Sequence, residues 1–148
     1  MRIRPSTSED GARVVEIWRN AVQATHDFLS PADLAAIDAQ VEQFLPKTPL
    51  LLVIDEEDRP AGFMGMTGHK VDSLFIDPML RGGGIGRLLI EHAAMLYASL
   101  TVDVNEQNAQ AVGFYERMGF VQTGRSDTDD QGRPYPLIHM RLGTVSEG

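Results

Sequence analysis

The chain contains no cysteine, which excludes disulfide bonds, thiol nucleophiles and cysteine-ligated zinc sites. Long apolar runs are also missing, and the first ten residues, MRIRPSTSED, lack the apolar stretch of a secretion signal. We therefore expect a cytoplasmic protein that does not cross a membrane. Positive charge is scarce, because 13 Lys and Arg stand against 21 Asp and Glu and leave a formal net charge of −8. This balance disfavours nucleic acids and anionic membranes as partners and mildly favours a cationic one.

The remaining composition is that of an ordinary globular protein. The 148 residues are 43% hydrophobic and 23% charged, and neither an internal repeat nor a linker interrupts them. The sequence therefore predicts one domain over residues 1–148, with a polar tail at 143–148 that frays.

Hydrophobic periodicity predicts strands alternating with helices, in the order β-α-α-β-β-β-α-β-α-β-β. This order is typical of an α/β protein with a mixed sheet and helices on its faces. The predicted strands cover residues 2–5, 50–54, 61–67, 70–76, 100–104, 120–126 and 136–142, and the predicted helices cover 8–24, 31–45, 84–96 and 109–118.

Capping residues and apolar faces support the predicted helices. Ser6 and Glu9 have the spacing of a capping box, Ser30 before Pro31 marks a second helix start, and Gly119 is suited to end the last helix in a left-handed conformation. Apolar residues at helical spacing predict buried faces that include Phe44 in the second helix and Leu96 in the third.

A run of glycines stands where the predicted strand 70–76 gives way to a helix. In the segment DPMLRGGGIGRLL, residues 77–89, a glycine-rich loop leads into the first turn of a helix. The N–H groups of that turn have no acceptor within the helix, and the glycines have no side chains that would keep a ligand away from them. Such groups bind anions, and a diphosphate could accept several of their hydrogen bonds. The residues of this predicted anion site are Arg81, Gly82, Gly83, Gly84, Ile85, Gly86 and Arg87.

The spacing of the glycines shows which of the known phosphate-binding motifs the segment matches. The dinucleotide fingerprint G-x-G-x-x-G is not met, and no Gly-Lys-Ser/Thr of a nucleotide-triphosphate loop occurs. The segment does match R-x-x-G-x-G through Arg81, Gly84 and Gly86. Further along, residues 105–120 match the pattern N-x-x-A-x-x-F-Y-x-x-x-G-F, with Asn108, Ala111, Phe114, Tyr115, Gly119 and Phe120 at the fixed positions.

With these two motifs in this order, the sequence resembles the GNAT superfamily of acyl-CoA-dependent N-acetyltransferases over essentially its whole length. The stretches ATHDFLS (24–30) and TGRSDTDDQGRPYPL (123–137) also resemble the small bacterial YjaB-type members, which are thought to acetylate protein lysines. The resemblance implies the GNAT fold, in which the fourth and fifth strands are parallel and splayed. It also implies acetyl-CoA as cosubstrate, with no metal.

The resemblance assigns binding roles to the matching residues. The pantetheine arm of the cosubstrate would pair with the backbone of Leu74, Phe75 and Ile76, and the glycine loop would hold its diphosphate. Asn108 would hold an amide group of the arm, although its position also suits a simple helix cap.

The chemistry implied is direct transfer, in which an amine attacks the thioester through a tetrahedral intermediate and a thiolate leaves. Tyr115 matches the family's usual general acid, since a neutral phenol can protonate the thiolate. The base stays open, because the fourth strand lacks the glutamate that some members use. Asp72 and His26 are the first candidates, His26 also as part of an acceptor site. The other candidates are Asp27, His69, Glu106 and ordered water.

The acceptor is expected to be a primary amine, either a protein lysine or a small molecule such as an antibiotic or polyamine. A non-catalytic acyl-CoA sensor is an alternative that keeps the cosubstrate site, and a homodimer is left open. The four histidines lack the spacing of metal ligands, and no G-x-S-x-G motif indicates a serine hydrolase. The acidic run at 126–134 is most simply a solvated turn of a β-hairpin.

Overall fold

A computed structural model of the protein describes residues 1–25 and 27–143. Its strands are β1 (Arg2–Pro5), β2 (Leu51–Ile54), β3 (Pro60–Thr67), β4 (Lys70–Ile76), β5 (Ser99–Asn105), β6 (Val121–Ser126) and β7 (Leu137–Gly143). Its α-helices are α1 (Gly11–Thr25), α2 (Pro31–Phe44), α3 (Ile85–Leu96) and α4 (Ala109–Arg117). Short 3₁₀ turns occupy Ser8–Asp10, Leu45–Lys47 and Pro78–Leu80.

The strands form one mixed sheet in the order β1-β2-β3-β4-β5-β7-β6. The predicted order of elements and the α/β class are confirmed, and β4 and β5 are parallel as expected. Their registered pairing joins Lys70 to Thr101 and Val71 to Val102, after which β4 continues to Ile76. The splaying of the two strands stays a prediction.

The chain divides into two compact units. The first unit comprises Met1–Gly65 and Ser73–Leu89. Its core forms where α1 packs on β2 and β3, because the apolar stripe of α1 meets strand residues that are almost fully buried. The buried members are Val14, Ile17, Trp18, Val22, Leu50, Leu52, Ile54 and Phe63.

A glycine in β3 allows close packing next to the glycine loop. A Cβ atom on Gly62 would lie 2.7 Å from Cδ1 of Ile76 and 3.0 Å from Cγ2 of Ile85. These two residues end β4 and begin α3, on either side of the loop. The absence of a side chain at Gly62 therefore lets both ends of the loop rest on the sheet.

The second unit comprises Met66–Asp72 and Ile90–Gly148. β7 pairs antiparallel with both β5 and β6, and β5 alternates buried Leu100, Val102 and Val104 with partly exposed residues. Tyr115 of α4 packs between the rings of Phe114 and Phe120, each 5.1 Å away between centroids.

The helix caps agree only in part with the sequence. The Ser30 hydroxyl accepts a 3.1 Å hydrogen bond from the N–H of Asp33, and Gly119 has φ +102°, so both predictions are confirmed. The first capping box was predicted wrongly at Ser6 and Glu9. Thr7 is the cap and Asp10 accepts from its N–H, because the Ser6 hydroxyl accepts from the N–H of Leu50 instead.

Two apolar residues predicted to be buried are exposed. Phe44 is 58% exposed and Leu96 is 60% exposed. Each is the final residue of its helix, and this end of the helix extends beyond the core on which the rest of the apolar face packs. Periodicity identifies the face of a helix but not the point along its axis at which the core ends. Among the described helices, none is both long and apolar enough to span a bilayer.

Candidate active site

The glycine loop has backbone angles that explain two of its glycines. After β4 and the turn Pro78–Leu80, the chain turns through Arg81–Gly84 and enters α3 at Ile85. Gly82 has φ +83° and Gly84 has φ +77°, and a Cβ on either would meet no atom within 4 Å. The conformation itself, not crowding, therefore requires glycine at both positions.

The start of α3 offers hydrogen-bond donors. The N–H of Leu88 donates to the carbonyl of Gly84 at 2.9 Å, which is the first bond of the helix. The N–H groups before it, beginning at Ile85, have no acceptor within the helix, and the helix dipole adds partial positive charge at this end. Arg81 and Arg87 are exposed on either side. This combination of groups suits a phosphate.

A partly buried ion pair anchors the entrance to the loop. Asp77 accepts hydrogen bonds from Nη2 of Arg13 at 2.7 Å and from the N–H of Met79 at 3.0 Å, and its own N–H donates to Ala61. Burial alone would raise the pKa of Asp77, but the hydrogen bonds from Arg13 and Met79 hold it below its usual value. Asp77 is therefore ionised and fixes the first turn after β4. No local pattern predicted Arg13 as the partner of Asp77, since the two residues lie 64 positions apart.

The end of β4 provides an extended backbone. Leu74, Phe75 and Ile76 are half-buried, and the Phe75 ring lies 5.6 Å from that of Phe63 between centroids. The side chains thus hold this strand against β3 within the first unit.

In the second unit, α4 carries the other predicted site residues. Asn108 caps the helix, because its Oδ1 accepts a 3.1 Å hydrogen bond from the N–H of Ala111. Asn108 is only 9% exposed, and within residues 1–25 and 27–143 its side-chain nitrogen has no hydrogen-bond partner. The cap uses one end of the amide and leaves the other available, so the two roles predicted for Asn108 are compatible.

Tyr115 lies two turns further along the same face of α4. It is 6% exposed, and its hydroxyl has no hydrogen-bond partner in the described part of the chain. Burial raises its pKa above the ordinary value, which keeps the phenol neutral at pH 7. A buried hydroxyl without a partner costs free energy, so the Tyr115 hydroxyl is a candidate to bind another molecule.

The candidate bases have different surroundings. Asp72 is exposed and accepts a short hydrogen bond from the hydroxyl of Thr67. Glu106 forms a two-point ion pair with Arg125, at 2.6 and 3.0 Å. His26 lies outside the described residues. The described residues contain no group of three or more His, Asp or Glu side chains that could hold a metal ion.

Each of the two units contains residues that suit one part of an acyl-CoA. Backbone donors and arginines at the glycine loop suit its diphosphate, and the free end of the Asn108 amide suits the amides of its arm. The neutral Tyr115 phenol carries a proton that a leaving thiolate can accept.

Comparisons with known proteins agree with this chemistry. A family model described as an acetyltransferase (GNAT) domain matches residues 6–142. The peptidyl-lysine N-acetyltransferase YjaB of Salmonella typhimurium is 53% identical over 140 residues, which cover 95% of this chain and 97% of that protein. YjaB of Escherichia coli K12 is 51% identical over 138 residues, which cover 93% and 94%.

A solved structure shows the same fold. The solution structure of apo-form YjaB from Escherichia coli matches with a TM-score of 0.92 at 49% identity, and the match covers 97% of this chain and 98% of that one. The resemblance identified from the two motifs is thereby confirmed. The chain belongs to the GNAT acetyltransferase family and is an acyl-CoA-dependent N-acetyltransferase.

Proposed function

We propose that this enzyme transfers the acetyl group of acetyl-CoA to the ε-amine of lysine side chains in proteins. The proposal is supported by the two relatives named as peptidyl-lysine N-acetyltransferases, each more than half identical over nearly the whole chain. The net charge of −8 supports it as well, because a cationic acceptor is attracted to an acidic enzyme. Acetyl-CoA and lysine-bearing proteins meet in the cytoplasm, where we place the reaction.

Acetyl-CoA supplies an acetyl thioester, and the residues of the chain bind and orient it. The N–H groups at the start of α3, with Arg81 and Arg87, bind the diphosphate. The backbone of Leu74–Ile76 binds the arm in the manner of an added strand, and the Asn108 amide donates to one of its carbonyls.

Tyr115 carries the catalytic part of the proposal, because its buried hydroxyl has no hydrogen-bond partner among the residues described. Its role is to donate the phenolic proton to the sulfur atom as the carbon–sulfur bond breaks. The raised pKa guarantees that the proton is present at neutral pH.

The test is an assay of free thiol release from acetyl-CoA with lysine peptides, polyamines and aminoglycosides as acceptors. We expect turnover with the lysine peptides, and a loss of roughly ten- to a thousandfold in kcat for Tyr115→Phe with little change in acetyl-CoA binding. Tyr97→Phe is the matched control, because Tyr97 is 39% exposed and directly follows α3. Its turnover should equal that of the wild type.

Other outcomes would contradict particular parts of the proposal. Tight acetyl-CoA binding without thiol release on any acceptor would make the protein a sensor. Turnover restricted to polyamines or aminoglycosides would replace the lysine acceptor with a small molecule. Unchanged turnover in Tyr115→Phe would remove Tyr115 from the mechanism.

A further inference from the structure

Four polar side chains on neighbouring strands of the second unit form a continuous hydrogen-bonded chain. His139 of β7 stands at its centre, with Nδ1 2.6 Å from Oδ1 of Asp103 and Nε2 2.7 Å from Oγ of Ser126. Nζ of Lys70 lies 2.9 Å from the other oxygen of Asp103. None of these residues belongs to the two sequence motifs.

Strand register brings the four residues together. His139 stands directly opposite Asp103 in the β5–β7 pair and opposite Gly124 in the β6–β7 pair. Ser126 follows Gly124 by two residues and so points to the same face of β6. Lys70 of β4 is paired with Thr101, which shares a face with Asp103.

The chain of contacts determines which nitrogen of His139 is basic. Burial would raise the pKa of Asp103, but hydrogen bonds from His139 and Lys70 hold it below its usual value. The carboxylate therefore stays ionised and accepts the proton of Nδ1. In the neutral imidazole, Nε2 then carries the lone pair and can accept the hydroxyl proton of Ser126. A carboxylate that orients an imidazole in this way is a recurring device for a general base.

The surroundings of His139 suit a cationic amine. About a third of the His139 side chain is exposed, so a substrate can reach the group. Asp103 on β5 contacts His139, Lys70 on β4 contacts Asp103, and Asp72 on β4 and Asp130 in the loop after β6 act on Lys70 through their charges. Arg141 lies on the same face of β7 as His139, opposite Thr101. Three of these five charged groups are acidic and two are basic, a balance that mildly favours an ammonium.

The reaction needs such a group. A lysine amine has a pKa of about 10.4 and is almost fully protonated at neutral pH, so it must lose a proton before it can attack. β5 leads directly from Asp103 to the Asn108 cap of α4, which carries Tyr115. The hydrogen-bonded chain and the predicted general acid thus belong to the same compact unit.

We propose that His139 is the proton acceptor of the acetyl transfer, reached by the substrate through the Ser126 hydroxyl, with Asp103 and Lys70 as positioning residues. The inference rests on the proposed function. The ammonium gives one proton to the Ser126 oxygen as the serine proton passes to Nε2. The lone pair on the amine nitrogen then forms a bond to the acetyl carbon. The carbon–sulfur bond breaks, its electron pair leaves with sulfur, and sulfur takes the proton of Tyr115. The second nitrogen proton restores Tyr115, and His139 releases its proton to solvent.

The test is the pH dependence of kcat/KM for lysine peptide in the wild type and His139→Gln. We expect the variant to lose roughly 10²- to 10⁴-fold at pH 7, with the acetyl-CoA KM unchanged. The deficit should shrink as pH rises, because free amine accumulates, and should also shrink with thialysine, whose amine is less basic. If His139 had a merely structural role, the deficit in kcat/KM would depend neither on pH nor on the basicity of the acceptor amine. Asp103→Asn should lower kcat without raising the acetyl-CoA KM.

His92→Gln, a histidine substitution on α3, is the matched control and should retain the wild-type profile. Nitrogen NMR of the wild-type imidazole provides a measurement that needs no variant, and we expect the proton on Nδ1.

Four results would overturn the inference. The first two are a proton on Nε2 of His139 in the NMR measurement and a wild-type pH dependence of kcat/KM in His139→Gln. The third is an Asp72→Asn variant that shows the pH-dependent deficit expected of His139→Gln. The fourth is a covalently acetylated Ser126. If the wild type acetylates no lysine peptide, the proposed function itself fails and the inference falls with it.

Discussion

Two glycines of the loop adopt backbone angles that any side chain makes costly. Gly82 and Gly84 have positive φ, whereas Gly83 between them does not. The sequence suggested that all the glycines serve to let a phosphate approach. The backbone gives Gly82 and Gly84 a second reason, which acts even without a ligand.

Gly84→Ala should therefore destabilise the free protein by roughly 1–2 kcal/mol, the cost of a left-handed conformation for an L-residue. The added methyl group meets no atom within 4 Å, so strain is the only cause. Urea unfolding monitored by circular dichroism measures the effect. Gly83→Ala is the matched control, because its Cβ would lie 3.4 Å from the carbonyl of Leu80, an ordinary contact. Equal stability losses in the two variants would contradict this account.

Individual site residues differed in how readily the sequence identified them. Asn108 and Tyr115 stand in a contiguous motif on one helix, so the resemblance to the family's motif singled them out. Asp103 and His139 lie 36 positions apart and meet only through the register of β5 and β7. Register depends on pairing over the whole sheet, which no short pattern encodes.

At the level of elements, an ion pair joins β1 to the start of α1. Arg4 of β1 binds Asp10 through two hydrogen bonds of 2.9 and 3.0 Å, and Asp10 also accepts from the N–H of Thr7 at 2.8 Å. The hydrogen bond from Arg4 is the main cause that lowers the pKa of Asp10 from 3.8 to about 2. Because Asp10 is nearly buried, solvent screens this pair little.

Stability should consequently fall in acid. Because folding lowers the pKa of Asp10, its contribution is complete above about pH 4 and is lost as pH falls towards 2. Asp10→Asn should cost about 2 kcal/mol at pH 7 and flatten the loss of stability across that window, as measured by urea unfolding at each pH. Asp58→Asn is the control, because Asp58 also binds Arg4 at 3.0 Å but is well exposed. It should cost less than about 1 kcal/mol. An unchanged acid profile in Asp10→Asn would refute the assignment.

Element order was predictable because each helix and strand carries its own period, but some boundaries depended on distant residues. The capping box moved by one residue because Ser6 is used by Leu50, 44 positions away. Phe44 and Leu96 continue the apolar faces of α2 and α3 yet are exposed, since the core ends before the helices do. Local signals thus predict an element, and tertiary contacts determine how its ends are used.

On the scale of the whole molecule, the two compact units share three elements. The boundaries between them fall inside β3 after Gly65, inside β4 after Asp72 and inside α3 after Leu89. Each unit therefore lacks part of a strand or helix that the other contains. The predicted binding roles are divided in the same way, with the glycine loop in the first unit and Asn108 and Tyr115 in the second.

Unfolding should accordingly be a single cooperative transition, as expected for the one domain predicted from the sequence. Because β3, β4 and α3 are each divided between the two units, neither unit contains these elements whole, and neither is expected to persist alone. Calorimetry should give a calorimetric enthalpy equal to the van't Hoff enthalpy, and saturating acetyl-CoA should move the whole transition upwards. Two resolved unfolding transitions would show that the units fold separately. So would an increase in transition temperature with acetyl-CoA that affects only part of the calorimetric peak. The glycine loop and α4 would then be held in independent bodies, and binding roles divided between them would require docking as an additional step.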